Sequence, residues 1–407
     1  MNFTIKKHNL LYLFLLIPFI KPGEYLLGNF IENLFDVWRG AASLIILIHY
    51  IRKAKISPIV IFVSLFQIST IISTIMNISN AEMALWKTCI TAFANIGFCM
   101  LFEIGLTEHP VDFLKIASSY GIFMSLISSA TIFLFYPEGM YTDILGNVNY
   151  YFLGHYNGSY FVVFTSQICC IIYCYLKHNK LTAPVIIINI IITITFLYVQ
   201  SMAASVALIL IWFYLIFLKN NPFPKILNMA NYLAVCICTC LGFVFFNIQY
   251  MFSFIIVDIL HKNLTLTGRT VLWQKAIEYI KLSPFFGYGQ ESLTIMLSKF
   301  RISHIHNIML DITYQSGLIG FSLYAIIIIL CTRKLMKYRN HKYAAFISFA
   351  LFLYLLISIF DYYNSKYFVQ GLFVIAYHID KIIACENTND TDTGIKENMR
   401  LKYLKYR

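Results

Sequence analysis

Charged residues are scarce in this chain. Only 12% of its 407 residues are Asp, Glu, Lys or Arg, and 59% are hydrophobic, whereas about a quarter of a soluble domain is charged. Apolar runs of roughly 17–25 residues recur, and about 20 apolar residues suffice for a helix to cross the hydrocarbon of a bilayer. No polar stretch is long enough to fold as a soluble domain. The composition therefore predicts an all-α polytopic membrane protein.

Cysteine is absent from the longest polar segment, residues 251–312, so a disulfide framework is not expected there. The ten cysteines lie in apolar runs or at their ends. Cys236, Cys238 and Cys240 lie close together, but in a helix this spacing spreads the thiols around the axis. We interpret them as small buried side chains and not as a metal site.

A signal-peptide cleavage site is also missing. Lys6 and Lys7 precede an apolar stretch at 10–20, as in a signal peptide, but Lys21-Pro22-Gly23-Glu24 follows it in place of small residues. We expect this stretch to be retained as the first span.

Hydropathy predicts about twelve spans, at 9–21, 30–50, 57–77, 84–106, 115–136, 158–176, 181–200, 202–218, 229–250, 313–331, 343–360 and 367–383. With both termini inside, most of the 31 basic residues fall in short cytoplasmic connections and the tail, as the positive-inside rule requires. The net charge of +12 thus follows from topology, and no nucleic-acid partner is expected.

This topology divides the chain into four parts. They are an N-terminal bundle (1–250), a long extracytoplasmic loop with short helices (251–312), C-terminal spans (313–384) and a cytoplasmic basic tail (385–407). The end of the tail is expected to lie against anionic lipid. We refer to residues 251–312 as the 251–312 loop.

A helical pattern covers residues 268–282 of this loop. Its apolar stripe predicts a helix along the membrane interface with Trp273 at headgroup depth, and Thr267 is a candidate N-cap. Arg269 lies in the first turn beside unpaired backbone N–H groups, an arrangement that suits a phosphate group. A solvated interfacial anchor is the alternative interpretation of an isolated arginine.

Two further patterns follow in the 251–312 loop. Gly287 and Gly289 flank Tyr288 and predict a tight turn that would let a substrate approach the backbone. His304 and His306 precede the tenth span, and a histidine near neutrality can take a proton from a sugar hydroxyl, although a structural role stays open.

The residues after the histidines suggest how an imidazole is oriented. Asn307 and Asp311 are four residues apart on one helix face, and either could hold the ring. Two histidines could also bind a metal ion, but no third ligand is evident. No metal and no other cofactor is therefore predicted.

Taken in order, these motifs resemble the C-terminal half of the O-antigen ligase/polymerase superfamily, membrane glycosyltransferases of the C-type fold. The resemblance rests on Gly268-Arg269, on the segment 283–289 (SPFFGYG), and on His306-Asn307 followed by Gly317 after ten residues. The segment 154–157 (GHYN) resembles a second, weaker signature. The stretch 307–320 (NIMLDITYQSGLIG) is the strongest part.

The resemblance implies a metal-independent, inverting transfer of a glycan from undecaprenyl pyrophosphate to an acceptor hydroxyl. It implies that His306 is the catalytic base and that Arg269 neutralises the pyrophosphate. The other expected substrate-binding residues are His304, Asn307, Arg301, Arg39, Gly287, Gly289 and Gly317.

One position departs from the pattern. Met202 stands where members of the superfamily often carry an arginine in a Ser/Thr-Arg pair. A second phosphate contact would then come from Arg39, which lies within a predicted span, or from Arg301. An arginine that faces lipid is costly, so Arg39 is expected to face a cavity, although snorkelling to the interface is the alternative.

The sequence thus favours a polymerase that joins undecaprenyl-pyrophosphate-linked repeat units into O-antigen or capsule. The sequence of residues 307–317 and the missing arginine at Met202 both favour this hypothesis over a ligase that moves finished polymer onto lipid A-core. A flippase or transporter is a third hypothesis, disfavoured because no internal repeat is evident.

Expected partners are the lipid bilayer and, from the same pathway, a chain-length regulator and a flippase. The expected location is the bacterial inner (plasma) membrane, with multiple spans and both termini cytoplasmic.

Overall fold

The computed structural model describes residues 6–53, 56–78, 84–142, 148–220, 222–259, 263–265, 268–361 and 368–386. The predicted N-cap Thr267 and most of the predicted tail lie outside these residues.

Helices account for nearly all of the regular structure. In chain order they are α1 (Lys7–Leu16), α2 (Glu24–Lys53), α3 (Pro58–Met76), α4 (Ala84–Glu108), α5 (Pro110–Phe135), α6 (Tyr156–His178), α7 (Ala183–Tyr198), α8 (Met202–Phe213), α9 (Met229–Val244), α10 (Arg269–Leu282), α11 (Leu293–Phe300), α12 (Ile308–Lys337), α13 (Lys342–Phe360) and α14 (Phe368–Tyr377). Between α5 and α6, the strands β1 (Tyr141–Thr142) and β2 (Asn149–Tyr150) pair antiparallel, with Tyr141 opposite Tyr150.

Each of the twelve predicted spans coincides with a helix. Among the described residues, seven helices are long and apolar enough to cross a membrane, and the helices at 183–198, 202–218 and 229–244 are shorter apolar ones. Several begin where proline fixes the first helical turn, as at Pro58 and Pro110. The prediction of an all-α polytopic membrane protein is confirmed.

The centre of the bundle consists of α6 and α13. In the most apolar stretch of each, 89% and 83% of the residues are buried, and Phe161 of α6 contacts Tyr354 of α13 with ring centroids 5.9 Å apart. Peripheral helices instead expose large apolar side chains such as Phe30 and Leu134, as lipid-facing surfaces do. Because α6 and α13 are enclosed, the ends of these two helices have well-defined neighbours.

Helix α12 is interrupted at Gly317, where φ is 61° and ψ is −167°. Segment 284–289 enters this break and pairs with the helix backbone. The Leu318 N–H donates to the Pro284 carbonyl at 2.8 Å, and the N–H groups of Tyr288 and Gly289 donate to the carbonyls of residues 314 and 315, each at 2.8 Å. The 251–312 loop is therefore anchored inside a membrane helix.

Candidate active site

Asp361, the residue that ends α13, is the centre of a cluster formed by two histidines and an arginine. Its Oδ1 accepts a hydrogen bond from the Nδ1 of His306 at 2.9 Å. The Nε2 of His304 lies 4.0 Å from the same oxygen, and a guanidinium nitrogen of Arg269 lies 3.8 Å from Oδ2. One carboxylate therefore brings together the three residues on which the sequence hypothesis depended.

The electrostatics of the cluster favour an ionised carboxylate and a neutral imidazole. Burial would raise the pKa of Asp361, but the interactions with His304 and His306 and the charge of Arg269 hold that pKa well below its ordinary value. Burial lowers the pKa of His306, and the hydrogen bond to Asp361 offsets only part of this effect. With Nδ1–H donated to Asp361, the inferred tautomer leaves the lone pair on Nε2 of His306.

Residues 301–307, which connect α11 to α12 and carry both histidines, are called the histidine loop. This loop is held at Ile305, which is 0% exposed. Its carbonyl accepts a hydrogen bond from the Trp273 indole N–H at 3.2 Å, and its N–H donates to Asp311 Oδ1 at 3.5 Å. Ile305 thus turns inward between His304 and His306 and keeps both imidazoles beside Asp361.

Two supporting residues make contacts that the sequence did not predict. The Trp273 side chain is completely buried, with its indole N–H against the histidine loop, so it does not face lipid headgroups. Asp311 does not orient an imidazole, since its carboxylate accepts from Ile305 and from the Gln315 amide at 2.8 Å. Asp361, from a different helix, takes that position.

Asn307 has a structural role in place of the expected contact with substrate. Its Oδ1 caps α12 by accepting from the N–H groups of residues 309 and 310, at 3.0 and 3.1 Å. Its amide N–H donates to the Ile359 carbonyl at 3.0 Å, and the residue is 0% exposed. Asn307 therefore joins the histidine loop to the end of α13, two residues before Asp361.

The sequence placed Arg269 correctly in the first turn of a helix. Gly268, with φ of 85°, is the N-cap of α10. The Arg269 side chain is 27% exposed while one of its nitrogens faces Asp361. The remaining guanidinium donors can meet an anionic oxygen. The N–H groups of Gly268 and Thr270 are instead donated to Thr265, at 3.1 and 3.3 Å.

The three glycines expected to bind substrate serve backbone packing. Gly287 and Gly317 approach each other so closely that a Cβ at Gly317 would collide with the Phe285 carbonyl. A Cβ at Gly289 would collide with the backbone of Thr74 in α3. All three have positive φ, and at each of them protein atoms fill the place where a Cβ would lie.

The two arginines considered for a second phosphate contact lie elsewhere. Arg39 is buried in α2 and pairs with Asp36 one turn away, in a group that also contains Lys21. Arg301 is exposed at the end of α11 and lines a cleft beside α10. Neither forms an ion pair with Asp361 among the pairs the described residues make.

The N-terminal end of α6 meets the start of α8. Asn157 Oδ1 accepts from the Ser201 hydroxyl at 2.6 Å. Met202, where an arginine was expected, follows directly and is 44% exposed. The weaker signature at 154–157 and the departing position therefore lie together.

Comparison with known proteins supports the resemblance. Residues 185–325 match the family described as O-antigen ligase, a range that includes Arg269, His304 and His306. Over 81 residues the chain is 33% identical to the exopolysaccharide production protein ExoQ of Rhizobium meliloti (strain 1021), and this match covers 17% of the chain and 19% of that protein. Along the segment that carries Arg269, His304 and His306, this chain resembles the O-antigen ligase family. No solved structure matches it significantly.

The apolar helices place the cluster in a membrane-embedded protein, and the family match covers three of its four residues. Asp361 lies outside the matched range and was missed by the sequence analysis. A signal for it exists, since it is the one acidic residue between Asp311 and Asp380. An isolated acid at the end of an apolar span is costly without a partner, and such residues are often functional.

The cluster also supplies the third metal ligand that was not evident in the sequence. Ligand atoms of His304, His306 and Asp361 all lie within 4.8 Å of one another. Two imidazoles and a carboxylate are a common zinc set. However, the Arg269 guanidinium is adjacent to the same carboxylate and would repel a divalent cation, so the charge balance favours an anionic ligand instead.

Proposed function

We propose that this protein is a polymerase that joins undecaprenyl-pyrophosphate-linked oligosaccharide repeat units into O-antigen or capsular polysaccharide at the outer face of the bacterial inner (plasma) membrane. The observation that carries the proposal is the Asp361–His306 pair at 2.9 Å with Arg269 on the other carboxylate oxygen. This arrangement combines a general base with a cation for a phosphate leaving group.

In the proposed reaction, the acceptor hydroxyl oxygen attacks the anomeric carbon of the donor glycan. The bond between that carbon and the pyrophosphate oxygen breaks, and its electron pair leaves with undecaprenyl pyrophosphate. His306 Nε2 takes the hydroxyl proton, while Asp361 stabilises the resulting imidazolium. Arg269 neutralises the leaving group. Attack opposite the leaving group inverts the anomeric configuration.

The proposed mechanism needs no metal ion. Hydrogen bonding to Asp361 already uses Nδ1 of His306, and Arg269 supplies the positive charge that a metal ion would otherwise provide at the pyrophosphate. His304, whose Nδ1 lies 3.0 Å from the Ser303 hydroxyl, adds a second imidazole beside Asp361.

A ligase is the second candidate, because the matching family is described by that activity. Its chemistry at the donor would be the same, and only the acceptor would differ. We favour the polymerase because the 307–317 stretch resembles polymerases and because Met202 replaces an arginine often found in the superfamily.

The proposed activity is tested with purified protein in liposomes, an undecaprenyl-pyrophosphate-linked repeat unit from the host, and excess EDTA. We expect a ladder of products on a gel, because polymerisation adds one repeat unit per turnover. Transfer that requires added lipid A-core would identify a ligase instead. Movement of the lipid-linked unit across the bilayer without new glycosidic bonds would indicate a flippase. Activity that EDTA removes and zinc restores would show that the histidines and Asp361 hold a metal.

The pH profile gives an independent prediction. Because the pKa of His306 is lowered from its ordinary value of 6.5, the base should remain neutral and active at pH 7. Activity should be lost on acidification, with a midpoint below pH 6.5, since protonation removes the base. The rate of ladder formation between pH 5 and 8 measures this. A midpoint above pH 7 would contradict the assigned role, and donor binding measured in parallel controls for effects on Arg269.

A further inference from the structure

A cleft of about 350 Å³ separates α10 from α11 in the 251–312 loop. On α10 it is lined by Gly268, Leu272 and Lys275, which lie on one helix face at spacings of four and three residues. The end of α11 forms the other wall, which includes Lys299 and Arg301. This face of α10 is next to the face that carries Arg269 and Trp273, so the cleft is adjacent to the Asp361 cluster but separate from it.

The charge of the cleft is positive. Lys299 is engaged, since its Nζ lies 2.6 Å from Glu291 and 3.1 Å from the Tyr314 hydroxyl. Lys275 and Arg301 are exposed, and neither forms an ion pair with a described residue. Two exposed cationic residues therefore line the cleft from its two walls, and no acidic residue is among the residues that line it.

The position of the cleft argues against the reacting pyrophosphate as its ligand. It begins at Gly268, beside Arg269, and extends along α10 to Lys275, a rise of roughly 10 Å at 1.5 Å per residue. Lys275, Ser298 and Arg301 are all exposed, so the described residues leave its far end uncovered. A glycan whose pyrophosphate met Arg269 would have this cleft as a path along α10.

We propose that the cleft between α10 and α11 binds an acidic sugar residue of the glycan, such as a uronate, through Lys275 and Arg301. This inference rests on the proposed function and adds a substrate class to it: repeat units that carry a negative charge. Arg301 can hold a carboxylate with two parallel N–H donors, while Lys275 adds a point charge.

Binding of free oligosaccharides to the purified full-length protein in detergent tests this without requiring catalysis. The probes are a tetrasaccharide of alternating glucuronate and N-acetylglucosamine, its carboxyl-reduced form, and inorganic pyrophosphate. We expect wild type to prefer the acidic probe, and K275A/R301A to bind it roughly tenfold more weakly, the combined size of two exposed ion pairs. The control K281A changes an exposed lysine of α10 outside the cleft and should bind like wild type.

The pyrophosphate probe distinguishes the two sources of anionic oxygen. We expect its binding to weaken in R269A and to be unchanged in K275A/R301A. Equal affinity of wild type for the acidic and reduced tetrasaccharides would overturn the proposal, and so would loss of pyrophosphate binding in K275A/R301A. Failure of the ladder assay with a retained preference for the acidic probe would reject the polymerase and keep the cleft. A ladder formed equally well from acidic and carboxyl-reduced repeat units would keep the polymerase and reject the acidic-sugar site in the cleft.

Discussion

Replacement of Asp361 by asparagine is expected to lower kcat by a factor on the order of 10³–10⁴, the scale known for the carboxylate in hydrolase triads. Asparagine removes the charge that stabilises the His306 imidazolium, and its amide can select the tautomer that blocks Nε2 as a base. The side chains are nearly equal in size, so the packing at the end of α13 should survive. KM for the donor should change much less than kcat, because Arg269 remains in place.

The decisive measurement compares D361N, H306A and the double variant in the ladder assay. Because one residue is proposed to act through the other, the double variant should be little worse than either single variant. D112N is a matched control, since Asp112 also pairs with a histidine, His8 at 3.0 Å, but belongs to a separate group on α5. D361N activity above a tenth of wild type would remove Asp361 from the mechanism.

Replacement of Gly317 by alanine is expected to prevent correct folding of the 251–312 loop. At φ of 61° and ψ of −167° a side chain is strained by about 1–3 kcal/mol. The added Cβ would also collide with the carbonyl of Phe285. Since neighbouring backbone in segment 284–289 is hydrogen-bonded into the same break, it cannot move aside without losing those bonds. The expected total cost exceeds about 3 kcal/mol.

Thermal unfolding and the yield of monodisperse protein measure this effect. G40A is the matched control, because a Cβ at Gly40 would meet nothing within 4 Å and the residue lies in helix α2. We expect G40A to match or slightly exceed wild type in stability, since alanine favours a helix over glycine. A G317A protein with wild-type stability and normal ladder formation would show that segment 284–289 can leave the break, contrary to the packing described here.

The break at Gly317 also links the fold to the chemistry. Segment 284–289 is anchored in α12 and at the end of α3, where the Asn77 amide N–H donates to the Gly287 carbonyl at 3.2 Å. Helix α10 precedes this anchor, and the histidine loop follows it. Trp273 then joins the two through the Ile305 carbonyl at 3.2 Å. Arg269 and His306 are thus positioned by one continuous set of contacts between loop and bundle.

The local pattern of the sequence determined the membrane helices. Burying an apolar segment of about 20 residues in hydrocarbon depends on that segment alone, so each of the twelve predicted spans coincides with a helix. Helix α10 and its early arginine were likewise predictable, because caps and breakers act within a few residues. His304 and His306 came from the motif that resembles the superfamily.

Only the tertiary structure decided which groups act on one another. His306 meets Asp361 across 55 positions of sequence, and the backbones at Gly287 and Gly317 pack against each other. Trp273 looked amphipathic in its own helix but is buried because the histidine loop covers it. Hydropathy is a property of each segment, whereas a shared carboxylate or a backbone inserted into a helix is a property of how segments pack. The helices of this protein are therefore determined locally by its sequence, whereas the Asp361–His306 pair and the cationic cleft are determined by the packing of distant segments.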